Sequence, residues 1–121
     1  MLTVVRWEKE LELMQYNFPK FAWFADPPNF GFQGYLRGRR SGRLYEVVLE
    51  ADERFYPAHK PAVYLNPPVG PHWIRPDHYG WKNGRRDLPQ LCVPGDIWIP
   101  KLDNFGSWLL RVIEYLEKHD A

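Results

Sequence analysis

Cysteine is almost absent from this chain: Cys92 is the single thiol in 121 residues. No internal disulfide can form, and there is no C-x-x-C or H-x-x-x-H pair to suggest a zinc site. His72, His78 and Cys92 together fall short of the four ligands that a structural zinc takes, so neither a metal nor another cofactor is expected. An excess of charge is missing too. Sixteen Lys plus Arg stand against 15 Asp plus Glu, which excludes the strong basic bias of a dedicated nucleic-acid binder. Long apolar runs are lacking: nothing is long enough to cross a bilayer, and Met1 to Phe18 carries charges where a secretory signal needs an unbroken apolar stretch. These absences predict a cytoplasmic protein in a reducing compartment, without a membrane partner. No repeat or low-complexity tract divides the chain, and its length predicts one domain spanning residues 1–121.

Aromatic residues, by contrast, reach 17%, and there are 12 prolines, so the expectation is a rigid core with many shaped loops. Val4, Trp7, Leu11, Met14 and Phe18 recur in steps of three and four, with Arg6, Glu8, Lys9, Glu10 and Glu12 between them. This spacing predicts a surface helix over Met1 to Phe18 with one buried stripe, ended by Pro19. Lys20 to Ala25 reads as a first short strand, closed by Asp26-Pro27-Pro28-Asn29. Phe30 to Leu36 and Leu44 to Glu50 form a hairpin across the turn residues Arg37 to Arg43, with Tyr45, Val47 and Leu49 on one face. Ala62 to Leu65 makes the fourth strand. A last helix from Asn104 to His119 carries Phe105, Leu109, Val112, Ile113 and Leu116 on one side, with Asp103 or Asn104 as its N-cap. The core is expected to include Trp7, Leu11, Tyr45, Val47, Val63, Trp98, Leu109, Val112 and Ile113.

Between the fourth strand and that helix, Asn66 to Pro100 is rich in proline, glycine and polar residues and reads as one extended loop. Loops beyond ~12 to 15 residues in a compact domain are usually functional. Cys92 lies inside it, followed by Pro94, Gly95 and Pro100, which make a continuous strand or helix through the thiol improbable. A solitary thiol in an open, irregular segment is a candidate nucleophile; the competing reading is a small buried hydrophobe.

The order helix, four strands, long loop, helix, with Phe55-Tyr56-Pro57, Lys60-Pro61, Leu91-Cys92, Trp98 and Pro100 along it, resembles the ubiquitin-conjugating-enzyme (UBC) family. The resemblance covers nearly the whole chain. It implies an α+β UBC-like fold: an N-terminal helix, a four-stranded antiparallel meander, a long active-site loop and a C-terminal helix. Two departures stand out. The family's His-Pro-Asn tripeptide is absent, with His78-Tyr79-Gly80 nearest to it, and no further helices follow His119. This compact form, with Trp108 in its final helix, is more similar to bacterial ubiquitin-conjugating-like proteins, many of them from antiphage defence operons such as CBASS.

The resemblance implies thioester exchange, in which the Cys92 thiolate accepts the C-terminal acyl group of a protein and passes it to an amine on a target. The conjugated partner would be a ubiquitin-like protein or a cyclic-nucleotide synthase, with an activating enzyme where one exists. His78 would orient the loop or act on the acyl group, and a structural role is the competing reading. Asn83-Gly84 reads first as a turn pair, with Asn83 a candidate for the missing oxyanion-stabilising amide. Asp96 is a candidate to desolvate or deprotonate an incoming lysine and is equally a turn former. Arg85 and Arg86 read first as a solvated loop pair and second as charges that favour the thiolate. Arg37, Arg39, Arg40 and Arg43 form the only basic cluster and fit a hairpin turn; nucleic acid is the minor reading for them. The alternative function is a non-catalytic UBC-like protein-interaction module with Cys92 as packing.

Overall fold

Thr3 starts the first helix, α1 (Val4–Asn17), its hydroxyl oxygen accepting the Arg6 backbone N–H at 3.1 Å. The computed structural model that defines this fold describes residues 1–73, 88–92 and 97–121. On α1, Met14 is buried, while Trp7, Leu11 and Phe18 pack partly buried against the core. Val4, placed on the stripe by its spacing, is 72% exposed. Glu10, placed among the solvent-facing charges, is 1% exposed. It stands three residues after Trp7 and four before Met14, hence on the buried face of the helix. Asn104 is the N-cap of the second helix, α2 (Phe105–His119), and exchanges hydrogen bonds with Ser107 in a reciprocal capping box. Phe105, Trp108, Leu109, Val112, Tyr115 and Leu116 are buried along it.

The sheet has five strands in sequence order, β1 (Ala22–Asp26), β2 (Asn29–Arg37), β3 (Leu44–Asp52), β4 (Ala62–Asn66) and β5 (Gln90–Leu91), every neighbouring pair antiparallel. Four strands stand where the sequence places them. The fifth falls inside the stretch expected to lack regular structure, pairing Leu91 with Val63 and Gln90 with Tyr64. Two residues are too few for alternation to register as a strand. Among the described residues, no helix is long and apolar enough to cross a membrane.

Phe30 and Phe32 of β2, Tyr45, Val47 and Leu49 of β3, Val63 and Leu65 of β4 and Leu91 of β5 meet the two helices in one core cluster. Trp98 and Ile113 are packed against it partly buried rather than within it. The helices close over this inner face, where Phe105 packs edge-to-face against Phe32 at 5.1 Å and Phe30 at 5.6 Å between ring centroids. Leu109 sits wholly buried in it. Leu109→Ala is therefore expected to cost about 2 to 5 kcal/mol, read as a lowered urea midpoint; a wild-type midpoint would contradict the burial.

The other face of the sheet is covered as well. Val48, Tyr64 and Leu88 form a second buried cluster there, and Glu46 and Glu50 are buried on the same side. Burial, and then the Glu50 carboxylate, push the Tyr64 hydroxyl up to about 12. β3 consequently has seven consecutive buried residues, where its alternation predicts one wet face.

The C-terminal end of α2 is tied to the β2–β3 loop through Asp120. Its Oδ2 accepts the backbone N–H groups of Arg40 (2.9 Å) and Ser41 (3.1 Å), and its Oδ1 accepts the hydroxyls of Ser41 and Tyr45. Donation from the Ser41 hydroxyl, then from the Ser41 amide, Tyr45 and Arg40, holds this carboxyl well below the usual range against the opposing effect of burial. A folded pKa below the unfolded one means that the unfolded chain takes up the proton first as pH falls. The stabilisation is then complete above the unfolded value of about 3.9 and is lost below it. The stability gap between wild type and Asp120→Asn should thus be flat from neutrality down to about pH 5 and close under about pH 4. A gap that does not change with pH would show that the charged form is not what the four donors favour.

Candidate active site

Leu91 and Cys92 divide the two environments at the end of β5. Leu91 is 2% exposed, paired with Val63 on one side and bridged to Trp73 on the other, so its side chain is fixed in the core. One residue further on, Cys92 is exposed, its backbone N–H donating to the His72 carbonyl at 2.9 Å. A buried leucine followed by a wet thiol is what strand alternation gives at a sheet edge. Among the described residues Cys92 is thus exposed rather than buried as packing.

His72 reaches the thiol's strand because the 69–73 segment is pinned to α2. The Tyr115 hydroxyl donates to the Val69 carbonyl at 2.7 Å and accepts the His72 N–H at 3.3 Å. Gly70 makes this possible at φ 76°, for a Cβ there would lie 2.2 Å from the Tyr115 hydroxyl oxygen. The His72 ring packs edge-on to Tyr115 and to His119, each at 5.9 Å between centroids. Among the described residues, no group of three or more His, Cys, Asp or Glu is placed to hold a metal.

Beside Cys92 is a small cleft of about 40 Å³ lined by Lys60, Pro61, Ala62, Val63, Gln90, Leu91, Cys92 and Trp108. Among the described residues it has room for about one water. Lys60 brings the one cation of this lining, its Nζ 5.9 Å from the centroid of the Trp108 ring. The Trp108 indole N–H is buried with no hydrogen-bond partner among the described residues. The sequence names both only for the family resemblance, Lys60-Pro61 at the entry to β4 and Trp108 in the final helix, and assigns neither to the site.

The chain after the thiol is held from three sides. Trp98 donates its indole N–H to the Pro57 carbonyl at 2.6 Å and packs edge-on against Trp108 at 5.3 Å. Asp103 accepts the Ile99 N–H at 2.8 Å and the Ser107 hydroxyl at 3.1 Å, and pairs with Arg111 at 3.3 Å. Arg6 of α1 donates to the carbonyls of Pro100 (3.0 Å) and Asp103 (2.6 Å) and, through Nε, to Glu10 at 3.0 Å. Glu10 in turn accepts the Phe105 backbone N–H at 3.0 Å and the Tyr56 hydroxyl. Burial first, and then the Glu10 charge, push that hydroxyl's pKa up, so it stays a donor. Ile97 (77%), Ile99 (44%) and Leu102 (74%) point apolar side chains to solvent along this braced segment.

Of the residues selected from sequence, Cys92 is exposed at the end of β5, and Trp98 is held against Pro57 and Trp108. His78, Asn83, Asp96, Arg85 and Arg86 lie outside the described residues. No family model, no curated protein and no solved structure matches this chain.

Proposed function

We propose that the chain is a ubiquitin-conjugating-like acyl transferase of the UBC fold, carrying a protein C-terminus as a thioester on Cys92 and delivering it to an amine of a target protein. The observation that carries this reading is the exposed thiol held one residue beyond a core-anchored leucine. The antiparallel meander between an N-terminal and a C-terminal helix supports it, as does the order of Tyr56-Pro57, Leu91-Cys92, Trp98 and Pro100 along the chain. Exposed Ile97, Ile99 and Leu102 on the braced segment that follows the thiol suit a macromolecular substrate that reaches the sulfur from outside.

In this reading the Cys92 thiolate attacks an activated C-terminal carbonyl. The C–S bond forms as the activating group leaves with its electron pair. A target amine then attacks the thioester carbonyl; the C–N bond forms, the C–S bond breaks, and the sulfur departs as thiolate. The amine's proton goes to a base, for which Asp96 is the candidate. His78 and Asn83 are the candidates for orienting the loop and stabilising the oxyanion. The conjugated protein is a ubiquitin-like protein or a cyclic-nucleotide synthase, and the setting is cytoplasmic antiphage defence of the CBASS kind.

The test is an adduct assay with the candidate partner, the cognate activating enzyme where one exists, and ATP. A band at the summed mass that disappears with thiol reductant supports the transferase. A native thiol unreactive to alkylating reagents would replace it with the non-catalytic interaction module.

A further inference from the structure

Lys60 and Cys92 are distant in sequence, yet they line the same cleft of about 40 Å³ where β4 begins and β5 ends. The sheet brings them there. β4 and β5 pair Val63 with Leu91, and the same antiparallel register carried one residue on sets Cys92 across from Ala62, just after Lys60-Pro61. Lys60 is exposed, and among the described residues it enters no ion pair. Its Nζ lies 5.9 Å from the centroid of the Trp108 ring, which is itself a wall of the cleft, so a cation–π contact keeps the amine beside the thiol's surroundings.

Trp108 is a firm support for that contact. It is 1% exposed, on a helix capped by Asn104, and it packs edge-on against Trp98 at 5.3 Å. Its buried indole N–H has no hydrogen-bond partner among the described residues, so this wall of the cleft holds an unused donor for a carbonyl oxygen. A nucleophilic sulfur, a primary amine and a spare donor therefore meet around one small space.

We infer that Lys60 is a self-modification site, taking onto its amine the acyl group that Cys92 carries when no other amine accepts it. The inference rests on the thioester chemistry proposed for Cys92. Lys60 Nζ attacks the thioester carbonyl; the C–N bond forms, the C–S bond breaks, the sulfur leaves as thiolate and the nitrogen's proton goes to water. The product is an amide, which thiols do not cleave. Proximity selects this lysine, because an amine held beside the thioester reacts in a unimolecular step while any other must meet it by diffusion. Lys9, Lys20, Lys101 and Lys118 line no part of the cleft. Acylation also removes the cation that Lys60 brings to it.

A short peptide ending in a glycine benzyl thioester tests this without partner or activating enzyme, since an exposed thiol exchanges with it directly. Intact mass is measured before and after thiol reductant, and peptide mapping locates whatever survives. The wild-type chain should acquire a reductant-labile adduct first and then a reductant-resistant one of the same added mass on Lys60. Cys92→Ala should lower the resistant adduct about tenfold or more, because the intramolecular route through sulfur is gone. Lys60→Arg, which keeps a cation for Trp108, should remove the resistant adduct and prolong the labile one. A labile adduct that never moves to nitrogen, undiminished acylation of Lys60 in Cys92→Ala, or a resistant adduct mapped mainly to another lysine would overturn the self-modification and leave the thioester reading standing. Absence of any labile adduct would overturn both.

Discussion

Cys92→Ala should abolish the reductant-labile adduct while leaving the fold intact, and Cys92→Ser should give a slower-forming adduct that survives the reductant. The first half follows from position. The side chain is exposed, so its loss opens no cavity, and the hydrogen bond that fixes this residue runs from its backbone N–H to His72. A stability change within about 0.5 kcal/mol is expected for such a surface site. The second half follows from the leaving group: an oxyester releases an alkoxide, far more basic than a thiolate, so neither reductant nor amine displaces it readily. Conjugation by Cys92→Ala at the wild-type rate would remove the nucleophile assignment. Loss of the adduct together with a collapsed circular dichroism spectrum would instead make the residue structural, against its exposure.

The same residue marks how far the sequence carries. Proline and glycine downstream of Cys92 place the thiol in an open segment, and Leu91 before it is the buried half of a strand alternation that is only two residues long. Both helices, four strands and the Asn104 cap are legible because periodicity and capping are local. The covered outer face of β3 is not. Glu46, Val48 and Glu50 look like a wet face until Tyr64 and Leu88 are brought to it by tertiary packing. Lys60 escaped for a related reason, since only the turn before β4 sets it beside a thiol that is distant in sequence.

Glu10 is the more instructive omission, because its position on the helix face was there to read and its charge argued against burial. Glu10→Leu should destabilise the fold by about 3 to 5 kcal/mol, the usual effect of removing one partner from a buried ionic network. The substitution leaves three donors facing an apolar side chain: Arg6 Nε, the Tyr56 hydroxyl and the Phe105 N–H that begins α2. Tyr56→Phe removes only one donor and leaves Glu10 its other two, so about 1 kcal/mol is expected there. The double variant should lose less than the sum of the two, since the Tyr56 hydroxyl has no carboxylate left to donate to once Glu10 is gone. Urea denaturation of the four proteins measures the cycle; strict additivity would show that the contact is energetically idle. The same network reaches the segment after the thiol, because the Arg6 guanidinium that donates to Glu10 also donates to the Pro100 and Asp103 carbonyls. Glu10→Leu should therefore raise amide hydrogen exchange over residues 99–105 more than over the β2–β3 pairing. A uniform rise would mean that the carboxylate stabilises the whole fold without particularly bracing the chain that follows the thiol.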